Sequence, residues 1–269
     1  MNFLKREHIY NNNSNHIIDV YPLYYYYCLF SALFFISLNI LLPIFIERKY
    51  PIFYKSLNDR KRRELATYSS CLFHHLIVVP IGFISIIKDI YRTSSDLHEF
   101  DYIRSEGFII PYCFGYLVGD TFFLAIQECF NGKPSLFFHH ILTFGLVAYA
   151  SICPSQILRF IPYLLICETS SIFLVIGWFY KCAELFTNRI NQICDISFAL
   201  SFFLFRVVNF PIMLFALSER KELKGTILSY IVLPCILLQL FWFYKIISYI
   251  IKPKYKHHID DDNDKVKKL

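Results

Sequence analysis

The sequence predicts an all-α, polytopic membrane protein with seven transmembrane helices. Three observations lead there. Hydrophobic residues make up 56% of the 269-residue chain, which holds 29 Phe and 20 Tyr and has a mean hydropathy of +0.43. That is more apolar side chain than a soluble domain of this size needs. Several apolar runs reach the roughly 20 residues that cross a bilayer. The runs lack the period-two alternation of lipid-facing strands, and lipid tolerates no open sheet edge, so the spans are read as helices. The net charge of +6 gathers in loops and at the C-terminus, a pattern of membrane topology. No fold or motif for nucleic acid accompanies it.

Taken in order, residues 1–23 form a polar, Asn-rich tail with no apolar core for a cleavable signal peptide. Residues 24–46 are the first span, opened by the interfacial tyrosines Tyr21, Tyr24, Tyr25, Tyr26 and Tyr27. A basic stretch ending in Arg60-Lys61-Arg62-Arg63 leads to the second span, 68–87, which carries His74 and His75. The third, 108–127, carries Gly115-Tyr116 and Asp120. The turn Asn131-Gly132-Lys133-Pro134 precedes the fourth, 137–152, with His139, His140 and Thr143 near its start. The fifth, 159–180, holds Glu168 near its middle; the sixth, 192–217, holds Asp195, Arg206 and Asn209. The seventh, 227–251, carries Pro234 and Gln239, and residues 252–269 form a charged tail. Pro80, Pro162, Pro211 and Pro234 are expected to kink their helices. The nine cysteines are scattered singly, without a Cys-x-x-Cys pair, and are read as small apolar fillers.

Lys and Arg orient the chain. The N-terminus and the second, fourth and sixth connections carry roughly nine; the other connections and the C-terminus carry roughly sixteen, which makes that side cytosolic. The N-terminus is then luminal, with the sequon Asn12-Asn13-Ser14, and the C-terminus cytosolic. The tail ends Lys265-Val266-Lys267-Lys268-Leu269. Lys265 and Lys267 resemble a dilysine retrieval signal, read by a coat complex, and point to the endoplasmic reticulum membrane. The alternative is a basic tail that touches anionic lipid.

This topology brings ionisable groups to one half of the membrane. At about 1.5 Å per residue, His74, His75 and Asp120 lie about 10 Å from the cytosolic side, the pair His139-His140 about 5 Å, and Glu168 and Arg206 about 18 to 20 Å. An unpaired charge in mid-membrane costs about 2.5 to 3.5 kcal/mol, so Arg206 is expected to pair with Glu168 or Asp120. Such pairs can serve packing alone. A cytosol-facing polar cavity lined by His74, His75, Arg206 and Asn209 accounts for the histidines as well. In it, His139 and His140 are the candidate catalytic residues, able to take the proton of an attacking amine or accept an acyl group. Thr143 is the expected hydrogen-bond partner one turn away, and Asp120 or Glu168 the group that orients the imidazoles. No His-x3-His pattern supports a metal site, and no cofactor is expected. A seven-helix receptor is disfavoured by the absence of Asp-Arg-Tyr and Asn-Pro-x-x-Tyr.

Gly115-Tyr116 with Asp120, the turn with Lys133 and Pro134, and His139-His140-Ile141-Leu142-Thr143 together resemble the TLC (TRAM/Lag/CLN) domain. Ser70 and His74 on a helix after a basic approach resemble its start, and Phe202-Phe203 with Arg206 and Pro211 its late helix. The likeness covers residues 60–251 and implies six helices in a barrel around the polar cavity, with the first helix outside it. Ceramide synthases are enzymes of this family. They join a fatty acyl-CoA to a sphingoid base, and their paired histidines are held to be essential. Their motif continues with His-Asp, a further Asp and a Glu, where this chain reads Ile166-Cys167-Glu168-Thr169-Ser170-Ser171. That segment is more similar to TLC-domain proteins outside the ceramide synthases. The resemblance therefore implies a protein that handles membrane lipids or their homeostasis. The alternatives are an N-acyltransferase with acyl-CoA as substrate, and an endoplasmic reticulum–Golgi trafficking factor.

Overall fold

The computed structural model describes residues 14–91, 99–152, 160–183, 188–218 and 227–251. These are helical, with no strand among the described residues. The elements are α1 (Ser14–Lys49), α2 (Pro51–Ser56), α3 (Asp59–Tyr91), α4 (Glu99–Asp120), α5 (Ile126–Phe130), α6 (Ser135–Ile152), α7 (Ile161–Ile166), α8 (Thr169–Cys182), α9 (Asn188–Phe202), α10 (Asn209–Ser218) and α11 (Ile227–Ile251). A π-helical turn, Thr121–Ala125, joins α4 to α5, and another, Phe203–Val208, joins α9 to α10.

Among the described residues six stretches are long and apolar enough to cross a membrane, and the chain is a multi-pass membrane protein. The predicted fourth span is a shorter apolar helix, Ser135–Ala148 by that measure. It starts behind a turn in which Gly132 takes a φ of 77°, a left-handed value suited to glycine. Two further differences from the sequence expectation concern continuity. The fifth span is broken between α7 and α8, and α1 reaches back to Ser14 rather than beginning near residue 24. Residues 1–13, with the sequon asparagine Asn12, and residues 252–269, with Lys265 and Lys267, lie outside the described residues.

The basic first turn of α3 shapes the first connection. Asn58 caps α3 by accepting from Lys61 N–H through Oδ1 at 2.8 Å. Arg62 donates to the Tyr54 and Lys55 carbonyls, each at 3.1 Å, and so closes the end of α2. Pro51 begins α2, where a missing N–H costs nothing.

The helix outside the TLC likeness is tightly docked. α1 lies along α4, where Gly115 admits the α1 backbone so closely that a Cβ would collide with Ser31 and Ala32. Phe35 is fully buried there, edge-on to the rings of His74, Tyr112 and Tyr116. Ser31 donates to the Tyr112 carbonyl at 3.0 Å, and Asn39 Nδ2 donates to Ser70 Oγ at 3.3 Å. Away from these contacts α1 presents Phe30, 72% exposed, with Leu33 and Leu41, a surface suited to hydrocarbon.

One apolar core includes Val78 and Val79 of α3, Ile109 and Ile110 of α4, Leu146 of α6, Leu165 of α7, Met213 of α10 and Val232 of α11. Pro80 and Pro234 lie within α3 and α11, while Pro162 sits in the first turn of α7. The core closes one end of a cavity between these helices, whose other end is polar.

Candidate functional site

Three irregular turns deliver the charged residues. Asp120 ends α4 as the first π-turn begins, Glu168 occupies the break between α7 and α8, and Arg206 lies inside the second π-turn. Such turns shift side chains off the regular helical face and recur at functional sites.

At the break the backbone tightens. Cys167 N–H donates to the Leu164 carbonyl at 3.2 Å, and Glu168 N–H to the Leu165 carbonyl at 3.1 Å. Carbonyls released from the regular ladder need other donors, and the sixth span supplies them. Arg206 Nε donates to the Cys167 carbonyl at 3.0 Å and to Ser170 Oγ at 2.9 Å. Asn209 Nδ2 donates to the Tyr163 carbonyl at 2.8 Å. Arg206 Nη2 then reaches Glu168 Oε2 and Ser171 Oγ, both at 2.9 Å, and the Ser171 hydroxyl donates to the same carboxylate oxygen at 3.0 Å.

Each histidine pair splits its duties in the same way. On α3, His75 Nε2 lies 3.3 Å from Glu168 Oε2 and 3.2 Å from Cys71 Sγ. Its neighbour His74 stacks on Tyr116, with centroids 3.9 Å apart. On α6, His140 Nε2 lies 3.1 Å from Asp120 Oδ2, while His139 meets Trp242 edge-on at 5.2 Å. One residue of each pair holds a carboxylate and the other an aromatic ring.

His140 has a second partner. Thr121 Oγ1 lies 2.6 Å from His140 Nδ1 and 2.6 Å from the Leu117 carbonyl. Its single proton serves one of them at a time. When it goes to His140, Nδ1 is the acceptor; when it goes to Leu117, Nδ1–H donates to the hydroxyl oxygen. The hydroxyl can follow the proton on His140 without any backbone movement.

His74, His75, Asp120, His139, His140, Thr143, Glu168 and Arg206 line one cavity of about 540 Å³. Its polar rim includes Glu128, Lys133 and Lys245, and its apolar end Ile109, Leu146, Ile161 and Phe210. From Ser135 to Val147 along α6 this is a depth of roughly 18 Å at 1.5 Å per residue. Two expectations are corrected. Asn209 does not line the cavity, because its amide is drawn to the Tyr163 carbonyl and Cys167 Sγ. Thr143 does not bond an imidazole: its hydroxyl donates to the His139 carbonyl at 2.8 Å, the usual bond of a helical threonine one turn on.

Sequence reasoning passed over Thr121 and used Ser170 and Ser171 only for the family likeness, although each lies within three residues of a carboxylate whose partner or oxygen it contacts. The reading of the cysteines as fillers holds for Cys182 and Cys235, which lie in apolar cores, while Cys71 and Cys167 also make polar contacts. Cys71 contacts His75, and Cys167 Sγ donates to the Phe205 carbonyl at 2.9 Å. No residue-type signal at either position distinguishes them from the other cysteines. Among the described residues no group of three or more His, Cys, Asp or Glu could hold a metal ion.

A family model of the TLC domain matches residues 64–248, most of the chain, and the chain belongs to that family. No curated protein and no solved structure matches it.

Proposed function

We propose that this TLC-domain membrane protein takes a membrane lipid into the cavity between its helices and acts in membrane lipid homeostasis. One observation carries the reading: two histidine–carboxylate pairs, His75–Glu168 and His140–Asp120, face the same cavity of about 540 Å³, whose far end is apolar. A site with a polar waist and a deep apolar end suits an amphipathic molecule entered tail first. Three buried atoms in its wall have no hydrogen-bond partner among the described residues, His74 Nδ1 and the pair Gln239 Oε1 and His75 Nδ1, and Gln239 is only 1% exposed. A lipid headgroup or linkage that offers a donor to one of that pair and a polar group to the other would offset that cost. In the proposed orientation the polar rim faces the cytosol, the N-terminus is luminal, and the protein resides in the endoplasmic reticulum. Retention there is tested by replacing Lys265 and Lys267: release toward the cell surface is expected, and unchanged location contradicts it.

The test of lipid uptake is a mass spectrum of lipid carried through purification. Wild-type protein is expected to retain one lipid class well above its share of the membrane. Leu146→Trp, which fills the apolar end, is expected to lose it. Equal lipid profiles from the two proteins would sink the reading.

A second reading, N-acyl transfer from acyl-CoA to a long-chain amine, is favoured by the setting of His140. With Nε2 on Asp120 and Nδ1 on Thr121, the imidazole backs the Asp120 carboxylate. That carboxylate lines the cavity and can take a proton from an attacking amine and return it to a leaving thiolate. His139 lines the same wall, as a second imidazole for the reacting carbonyl. The assay is N-acyl product from acyl-CoA and sphingoid base, absent in His140→Ala. No turnover at any chain length leaves lipid binding alone.

A further inference from the structure

Beside the cavity runs a second space, a groove of about 610 Å³ on the outer face of α6 and α11. The two spaces use adjacent faces of the same helices. Cys235, Gln239, Trp242 and Ile246 of α11 face the cavity, while Pro234, Leu237, Leu238 and Phe241 face the groove. On α6, His139, His140 and Thr143 turn inward and Phe138, Ile141 and Leu142 outward. Both spaces share only Lys133, Ser135 and Lys245, so they meet at the polar end.

The seam there is thin. Trp242 Nε1 donates to Ser135 Oγ at 3.3 Å across the gap between α11 and α6, and the Trp242 ring rests edge-on against His139. The charges at this end are unequal. Lys133 pairs with Glu128 at 3.0 Å, and Arg60 is shared between Glu64 at 2.7 Å and Glu128 at 3.7 Å. Lys245 has no carboxylate within ion-pair distance among the described residues; its Nζ lies 4.3 Å over the Phe241 ring. A cation at the head of an apolar, hydrocarbon-facing groove complements one class of molecule.

We propose that this groove is a lateral site for an anionic phospholipid, and the portal through which lipid reaches the cavity. Its phosphate lies between Lys245 and Lys133, one acyl chain runs along Leu237, Phe241, Phe138 and Ile141, and Trp242 is the latch between groove and cavity. The portal role rests on the proposed lipid uptake; the site in the groove does not. Lysines at a membrane surface attract anionic headgroups, and basic pockets between transmembrane helices hold them. The Trp242–Ser135 bond is a modest neutral contact, and swinging the indole aside would open the groove directly onto His139.

The chain has two tryptophans, Trp178 and Trp242, so the test is optical. Full-length Trp178→Phe protein, in phosphatidylcholine vesicles, is titrated with phosphatidic acid or phosphatidylcholine that carries brominated chains. Bromine quenches a ring only at short range, and Trp242, next to Phe241 and bonded to Ser135 at the head of the groove, lies within that reach of the chain. Trp242 is expected to be quenched by brominated phosphatidic acid at much lower mole fraction than by brominated phosphatidylcholine. Lys245→Gln is expected to reduce that preference roughly fivefold, the weight of one surface lysine near anionic lipid. Trp178, read in Trp242→Phe protein, should show no preference. Where Trp178→Phe fails to fold, the difference between wild-type and Trp242→Phe signals gives the same measurement. Equal quenching of Trp242 by both lipids, or a preference untouched by Lys245→Gln, overturns the site. Lipid retention that survives such a result would leave uptake standing by another route.

Discussion

The two histidine pairs line one cavity, and their carboxylates are held in different ways. Glu168 Oε2 is met by Arg206 at 2.9 Å, by Ser171 at 3.0 Å and by His75 at 3.3 Å. It is one corner of a network that also mends the broken fifth span. Asp120 meets His140 at 3.1 Å and no arginine, and the remaining nitrogen of that imidazole faces a hydroxyl that can give or take a proton. The α3 side is built to hold charge still. The α6 side has a hydroxyl where the α3 side has a guanidinium. Similar sequence, His-His on each helix, thus serves two ends because of what the neighbouring turns bring to it.

Substitutions can break this contrast. The largest effect is expected from Arg206→Met, which takes from the half-buried Glu168 its cation while Ser171 and His75 remain: a loss of about 1.5 to 3 kcal/mol of stability, read as thermal unfolding in detergent. Adding Glu168→Gln should recover much of that loss. A double variant no more stable than the single would deny that the pair is mainly structural. Next, Asp120→Asn should unfold close to wild type yet lower lipid retention or turnover about tenfold, a cost of about 1.4 kcal/mol. A large stability loss with normal retention would reverse the roles assigned to the two carboxylates.

Smaller changes sharpen it. Thr121→Val removes the hydroxyl beside His140 Nδ1 and is expected to cost about 1 kcal/mol, in lipid retention rather than in folding. Thr143→Val removes only a bond to a backbone carbonyl on its own helix, and should alter either property by less than about 0.5 kcal/mol. If Thr143→Val proves the more damaging of the two, the assignment of the His140 partner is wrong.

Much of this was legible in the chain, and the gaps have physical reasons. Spans appear in sequence because lipid demands unbroken apolar length, and the second, third and seventh predicted runs lie within α3, the α4–α5 segment and α11. The pairing of Arg206 followed from the cost of a lone charge, though not the choice of Glu168 over Asp120. That choice depends on the break at 167–168 and the π-turn around 206, which no hydropathy pattern encodes. Thr143 misled because a spacing of one turn suggests a side-chain partner, whereas a threonine in a helix has a carbonyl within reach first. Asn209 misled similarly: depth was readable, direction was not. Trp242 was invisible as a latch, since its importance lies in Ser135, more than a hundred residues away in the chain.

The central claim is that lipid enters between the helices. A photoreactive lipid, with a diazirine near the end of its acyl chain, tests this directly when cross-linked to the protein in membranes and mapped by peptide mass spectrometry. The account predicts adducts on the cavity residues Leu146, Val147, Leu164 and Phe210. Adducts confined to outward-facing residues such as Phe30, Leu41, Phe215 and Tyr230 would show lipid only around the protein, and would contradict it.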